Sequence, residues 1–314
     1  MKSILTATGL LLLLLTSCSK DDDVMPQVSN TVPTLTKYKR ISLDVTANPP
    51  VPKDSVVTTV LNGKIQEVTS YVIGGSTTVS QYNYTNQLLT SIVAFSNGAA
   101  TGVRADYTYD SAGLITAYSS IGTNLSISET YNKVQDTTFV TATSSLNGMP
   151  FGTPSMYKVA FNADGRIVYF ENREDINSLT TRSEFQYDAA GNLTTEILAT
   201  DNDNGNNTID NLFSMTYTNT VNPLAALRNN TFGMYFNHLR YHLRNRGLNV
   251  TIGPTFLSTN WLNTYEYTAF QGFPTTLVNE FNAAGLIERV TYTTLGGNTS
   301  TNGILTSFIQ EFYY

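Results

Sequence analysis

His238 and His242 stand four residues apart in "HLRYH", the spacing that puts two imidazoles on one helix face and that helical zinc peptidases use. Such a site needs a glutamate directly after the first histidine to activate the metal-bound water, and Leu239 holds that position. The chain has only 2 histidines, and Arg240, Arg244 and Arg246 beside them mark a basic helix end, so no metal is expected. The run from Asp201 to Asp210, "DNDNGNNTID", offers alternate oxygen ligands, as the start of a calcium loop does. Gly205 falls where a third ligand belongs, Asn206 replaces the turn glycine, and Leu212 replaces the bidentate glutamate. A polar hairpin loop is the plainer reading. Nucleophilic catalysis has no G-x-S-x-G elbow to build on. Paired carboxylates for glycoside chemistry meet only in space, and most acidic residues lie in turn signals or near the N-terminus. These residues predict no cofactor and no enzyme.

The single cysteine, Cys18, has a different chemistry. It follows Lys2, an uncharged run from Ile4 to Leu15, and the small residues Thr16 and Ser17, the three regions of a secretory signal. Leu15-Thr16-Ser17-Cys18 resembles the lipobox of bacterial lipoproteins. That resemblance implies cleavage before Cys18 and acylation of its sulfur and new amine. At about 0.8 kcal/mol per buried CH₂, two or three acyl chains anchor a protein durably where one does not. Lys20, Asp21, Asp22 and Asp23 resemble the export signal of Bacteroidota-type surface lipoproteins. The resemblance implies an outer-membrane lipid anchor facing the medium; a solvated acidic tether is the alternative.

The formal charge of −6 and the absence of a long basic patch exclude nucleic acid as an expected partner, since phosphate recognition needs clustered Lys and Arg. With one cysteine assigned to lipid, no disulfide can form within the chain. Stability must then come from buried apolar area, which 41% hydrophobic residues over 314 can supply.

Stepping along the chain, one turn recurs: Tyr109-Asp110-Ser111-Ala112-Gly113-Leu114-Ile115, Phe161-Asn162-Ala163-Asp164-Gly165-Arg166-Ile167, Tyr187-Asp188-Ala189-Ala190-Gly191-Asn192-Leu193, and Phe281-Asn282-Ala283-Ala284-Gly285-Leu286-Ile287. The Asp or Asn side chain can accept a backbone N–H two residues on, and the glycine takes the positive φ that reverses the chain. Asn replaces Asp freely in this role but not as a general acid or base. Asp188 is thereby a turn residue rather than a catalytic one. Flanking residues alternate as half-buried strands do, and degenerate copies at Leu61-Asn62-Gly63, Tyr84-Thr85-Asn86, Tyr131-Asn132 and Tyr217-Thr218-Asn219 extend the series. The spacing is that of successive hairpins in an antiparallel meander.

These turns resemble those of the YD-repeat, or Rhs-like, proteins, over about Leu61 to Tyr292. They are also similar to those of a group of Bacteroidota lipoproteins of unknown function, described as having a porin-like, rolled antiparallel sheet. The resemblance implies a curled sheet or barrel-like fold and brings no catalytic residues. The fold expected is all-β: a curled antiparallel meander, open roll or barrel-like, with one helical insertion at about 223–246. Asn222 is the candidate N-cap of that insertion, Pro223 its first residue and Gly247 its close, with Phe232, Phe236, Leu239 and Leu243 on one stripe.

The domain reading is a signal peptide over 1–17, a lipidated flexible tether over 18–50 marked by Pro26, Pro33, Pro49 and Pro50, and one β domain over 51–314. The 19 tyrosines can stack on sugars but are also ordinary strand formers. The ending "SFIQEFYY" puts Phe308, Gln310, Phe312 and Tyr314 on one face, as an outer-membrane barrel strand would, yet strands rich in Thr, Ser and Asn suit water. The function expected is a non-enzymatic, surface-exposed lipoprotein, held to the membrane through Cys18, serving as a binding or scaffold module for a glycan or envelope protein. A barrel holding a glycan or apolar ligand, and an extracellular glycan- or peptide-degrading enzyme, are the rivals.

Overall fold

A computed structural model describes residues 34–173, 180–202, 205–209, 213–244, 257–267, 275–295 and 304–314. Among them the strands are β1 (Lys37–Asp44), β2 (Val51–Leu61), β3 (Lys64–Val72), β4 (Thr77–Thr85), β5 (Leu88–Ser96), β6 (Ala99–Tyr109), β7 (Ile115–Ile121), β8 (Leu125–Val134), β9 (Thr137–Leu146) and the short β10 (Met149–Pro150). The series goes on with β11 (Ser155–Phe161), β12 (Ile167–Arg173), β13 (Thr180–Tyr187), β14 (Leu193–Asn202), β15 (Gly205–Ile209) and β16 (Phe213–Val221). Two helices, α1 (Pro223–Phe232) and α2 (Met234–Arg244), precede β17 (Asn260–Tyr267), β18 (Thr275–Phe281), β19 (Ile287–Leu295) and β20 (Ile304–Tyr313).

All pairings are antiparallel and nearly all join sequence neighbours, with β11 pairing β9 across β10. The decisive exception is β1, which pairs β2 on one side and β20 on the other, Tyr38 opposite Phe312 and Arg40 opposite Gln310. That pairing bends the meander into a nearly closed barrel. It also corrects the sequence reading at one boundary: residues 37–44 are a wall strand and not tether. In "KYKRISLD", Lys37, Lys39 and Ile41 alternate with Tyr38, Arg40 and Ser42, and the pattern is satisfied only by a partner far away in sequence.

The recurring turns do what their residues dictate. Asp110 Oδ1 accepts the N–H groups of Ala112 and Leu114, each at 2.9 Å, and Asn162 and Asn282 hold the equivalent pairs at 2.9–3.1 Å. Gly113, Gly165, Gly191 and Gly285 sit at φ between 74 and 84°. Beside each turn the register slips by one residue, the bulge that tightens the local twist. Contacts put these turns at the end of the wall that carries both helices: Thr259 N–H donates to Gly191 O at 3.3 Å, Thr220 Oγ1 to Gly285 O at 3.2 Å, and Ile167 N–H to His238 Nδ1 at 3.3 Å.

Asn222 caps α1 through Oδ1, which accepts the N–H groups of Leu224 and Ala225, and Pro223 opens the first turn. Gly233, at φ 78°, divides the expected single stripe into two helices. Phe232, Phe236 and Leu239 are nonetheless all buried. Phe236 meets Tyr107 and Tyr131 edge-on at 5.7 and 5.8 Å, and Phe232 meets Tyr82 at 6.4 Å. A barrel of about 16 strands or more is too wide for its own side chains to fill. Here the helices fill one end of it.

The outer wall is polar. Lys39, Glu311, Arg289 and Glu280 follow one another across four strands, as do Lys158, Glu171 and Arg182 across three, in alternating sign. Arg104 and Asp106 form an ion pair at 2.6 Å on the same outer face. A lipid-facing wall needs an apolar band about 25 Å tall, which the Lys158–Glu171–Arg182 row interrupts near mid-strand.

Candidate functional site

The inner wall changes character along its height. On β8 the inward residues from the helix-filled end outward are Tyr131 at 7% exposure, Glu129 at 4%, a half-buried Ile127, and Leu125 at 43%. On β9 they are Val140 at 1%, half-buried Ala142 and Ser144, and exposed Leu146. Neighbouring strands repeat the change: Tyr82 gives way to Ser80 and Thr78, Tyr118 to Ser120, and Val68 to Ser70. The result is a cup, floored by aromatic rings and helices and walled by partly exposed residues in which small hydroxyls mix with Ile127, Leu125, Ala142 and Leu146. Such a wall can hydrogen-bond a polyhydroxylated ligand through many weak contacts.

The floor is held by side chains that take up backbone groups left over where the ladder slips. Ile65 N–H donates to Thr231 Oγ1 at 3.1 Å, Ile167 N–H to His238 Nδ1 at 3.3 Å, and Leu193 N–H to Ser258 Oγ at 3.1 Å. The carbonyls of the same class of residue accept tyrosine hydroxyls: Tyr84 to Ile65, Tyr109 to Leu89 at 2.8 Å, Tyr217 to Leu193 at 2.6 Å, and Tyr314 to Ile287 at 2.9 Å. Each tyrosine reaches back about one repeat unit, which explains the tyrosine in the motif beyond its strand propensity. Burial raises the pKa of the Tyr84, Tyr217 and Tyr314 phenols and keeps them donors.

His238 is thus an acceptor inside the floor. Burial, with Arg166 nearby, pushes its pKa down to about 3, so the imidazole is neutral. The side chain of His242 lies outside the described residues, as do Gly247 and the side chains of Leu243, Arg240, Arg244 and Arg246. Among the described residues no three His, Cys, Asp or Glu side chains group as a metal site. The Asp201–Asp210 run is a hairpin, Asp201 opposite Asn206 and Asn202 opposite Gly205, with its side chains outside the described residues. Cys18, Lys20, Asp21, Asp22 and Asp23 also lie outside them.

Asp188 is a turn acceptor: it takes the Asn192 N–H at 2.8 Å and the Asn192 amide at 3.0 Å. Burial pushes its carboxyl up, but the N–H groups of Asn192, Ala190 and Gly191 outweigh that and hold it below the usual range. The adjacent Gly191 has a second task that its motif does not reveal. Arg166 Nη1 donates to Gly191 O at 2.8 Å and to Leu257 O at 3.3 Å, while Nη2 donates to Thr259 Oγ1 at 3.0 Å. A Cβ on Gly191 would fall on that guanidinium. The clamp ties the turn to the segment leaving the helices, next to the seam where, among the described residues, no backbone ladder joins β14 or β15 to β16. Leu193 on β14 is joined across that seam at the helix-filled end, its carbonyl accepting the Tyr217 hydroxyl at 2.6 Å and its N–H donating to Ser258 Oγ at 3.1 Å.

Three inward carboxylates escaped the sequence reading, Glu129, Glu196 and, on β2, Asp54. Glu129 accepts the Tyr131 hydroxyl, and Glu196 interacts with Ser183. Burial pushes Glu196 up to about 7. Its signal was available: three residues past the repeat's Ile or Leu, other units place Val68, Ile92, Tyr118, Phe170 and Val290, and this unit alone places a carboxylate. Glu129 and Glu196 are separated by five strand steps, β8 to β14 through β9, β11, β12 and β13. At about 4.8 Å a step that is roughly 24 Å of wall, against about 5–9.5 Å between the carboxyls of a glycosidase.

No family model and no curated protein matches the chain. Among solved structures it is similar to a porin-like protein from Bacteroides uniformis, at TM-score 0.44 and 9% identity, covering 89% of this chain and 98% of that one. It is also similar to a porin-like protein from Bacteroides vulgatus, at TM-score 0.33 and 14% identity, covering 90% of this chain and 98% of that one.

Proposed function

We propose that the protein is a non-enzymatic, surface-exposed lipoprotein, anchored in the outer membrane through Cys18, whose open cup binds a polyhydroxylated ligand such as a glycan. The observation that carries this reading is the inner-wall gradient, from a closed aromatic floor to partly exposed serines and threonines. The buried, occupied Nδ1 of His238 and the wide separation of Glu129 and Glu196 support binding over catalysis. The charged rows on the outer wall support a body that stands in water, so the anchor is the lipid and not the barrel. Lys20 and Asp21–Asp23 supply the surface address in this reading.

Two measurements test it together. The full chain in detergent, applied to a glycan array, should bind a restricted set of saccharides, and a blank array would remove the binding reading. Cys18→Ala should abolish radiolabelled palmitate incorporation and shift the protein from the membrane to the soluble fraction; unchanged fractionation would remove the anchor.

A further inference from the structure

Arg40 faces the interior from β1, and among the described residues it forms no ion pair. It lies opposite Gln310 on β20 and Val56 on β2, and its guanidinium rests 4.4 Å from the centre of the Phe308 ring. Its Nε is buried with no hydrogen-bond partner among the described residues. Gln310, fully buried, has an unpartnered Oε1 beside it, while Gln310 Nε2 donates to the Tyr38 hydroxyl at 2.6 Å. A second cation, Arg228 on α1, acts electrostatically on the same Tyr38. The next inward acid, Asp54 opposite Ser42, forms no ion pair with Arg40. On the outer face Arg104 and Lys39 have carboxylate partners, and Arg289, whose Nε is likewise unpartnered among the described residues, lies opposite Glu280 and Glu311.

A half-buried guanidinium with no carboxylate partner among the described residues is costly unless an anion pairs with it. Its planar fork matches a carboxylate in two parallel hydrogen bonds, which a lysine could not offer. We propose that Arg40, with Gln310 and Tyr38 as its polar neighbours, anchors the carboxylate of an acidic saccharide, whose hydroxyls meet Ser42 and the serines of the adjoining wall. The inference rests on the proposed cup-binding function and names the ligand class for it. Arg40 is half-buried, so its head is reachable from the cup while its Nε is not.

The test uses the full chain in detergent with two matched probes, oligogalacturonate and the neutral galactan of the same length, read by calorimetry. Wild type should bind the acidic probe at least about tenfold more tightly than the neutral one, and R40Q should lose that preference while keeping its affinity for the neutral probe. Arg40→Lys, which keeps the charge but not the fork, should retain only part of it and serves if R40Q melts early. Equal binding of the acidic probe by wild type and R40Q would overturn the assignment. Binding of neutral saccharides without acidic preference would overturn it and leave the cup intact, whereas no saccharide binding at all would overturn both.

Discussion

On β8 and β9 the same two strands bury Tyr131, against Phe236 of α2, and Val140 at one end and leave Leu125 and Leu146 in solvent at the other. Nothing in the backbone distinguishes the ends, since the ladder runs unbroken from Leu125–Leu146 to Val134–Thr137. The difference lies in what meets the inner face: helices and rings below, and above a solvent-facing mix of small hydroxyls and aliphatic side chains. A wide barrel therefore divides its labour by height, with stability invested in the helix-filled end and the open end left free of structural duty.

That division can be broken from the filled end first. Phe236→Ala should cost about 3–5 kcal/mol in a urea melt, because three tyrosine rings close around the lost side chain. A loss below about 1 kcal/mol would mean the helices do not support the wall. Gly191→Val should cost about 3 kcal/mol, since its Cβ would displace Arg166 and lie 2.8 Å from Thr259 Oγ1 at a φ of +84°; the scale is that of combined strain and overpacking. Gly285→Val, at φ +74° with open space around it, should cost only about 1 kcal/mol. Equal losses at the two glycines would remove the clamp from the account.

The titrating groups of the interior sharpen the contrast in pH. His238 has its folded pKa depressed, so the unfolded chain binds more protons between about pH 3 and 6.5, and its contribution is full above 6.5 and lost as the pH falls. Glu196 has its folded pKa raised from 4.5 to about 7, so its contribution is full below 4.5 and lost as the pH rises to 7. Each slope is at most about 1.4 kcal/mol per pH unit. Thermal melts from pH 3 to 8 should therefore show E196Q gaining on wild type toward pH 7 and H238Q losing its acid sensitivity; parallel curves would refute both. At the open end Ser120→Ala should stay within about 0.5 kcal/mol of wild type, and a larger loss would give that wall a structural role after all.

The turns, the hairpins and the capped helical insertion were legible because their chemistry is local: Asn222 reaches two or three residues, Asp110 and Asn282 two to four. What the sequence hid is non-local. Tyr109 finds its carbonyl 20 residues back and His238 its amide 71 residues back, and β1 finds β20 at the far end of the chain. The tether extended too far in the sequence reading because prolines frame "KYKRISLD" and no neighbour within fifty residues completes it except β2. Arg40 and Glu196 looked like ordinary strand charges until the register turned them inward.

The pairing of β1 with β20 gives the fold a circular order. Thr36 N–H donates to Tyr313 O at 2.8 Å, so the first and last strands meet as any two successive strands do. Among the described residues the missing ladder lies instead beside β14, which β16 meets through Tyr217 and Leu193. The closure is thus a ladder like any other, and it makes Tyr38 and Gln310, 272 positions apart in sequence, neighbours in the wall.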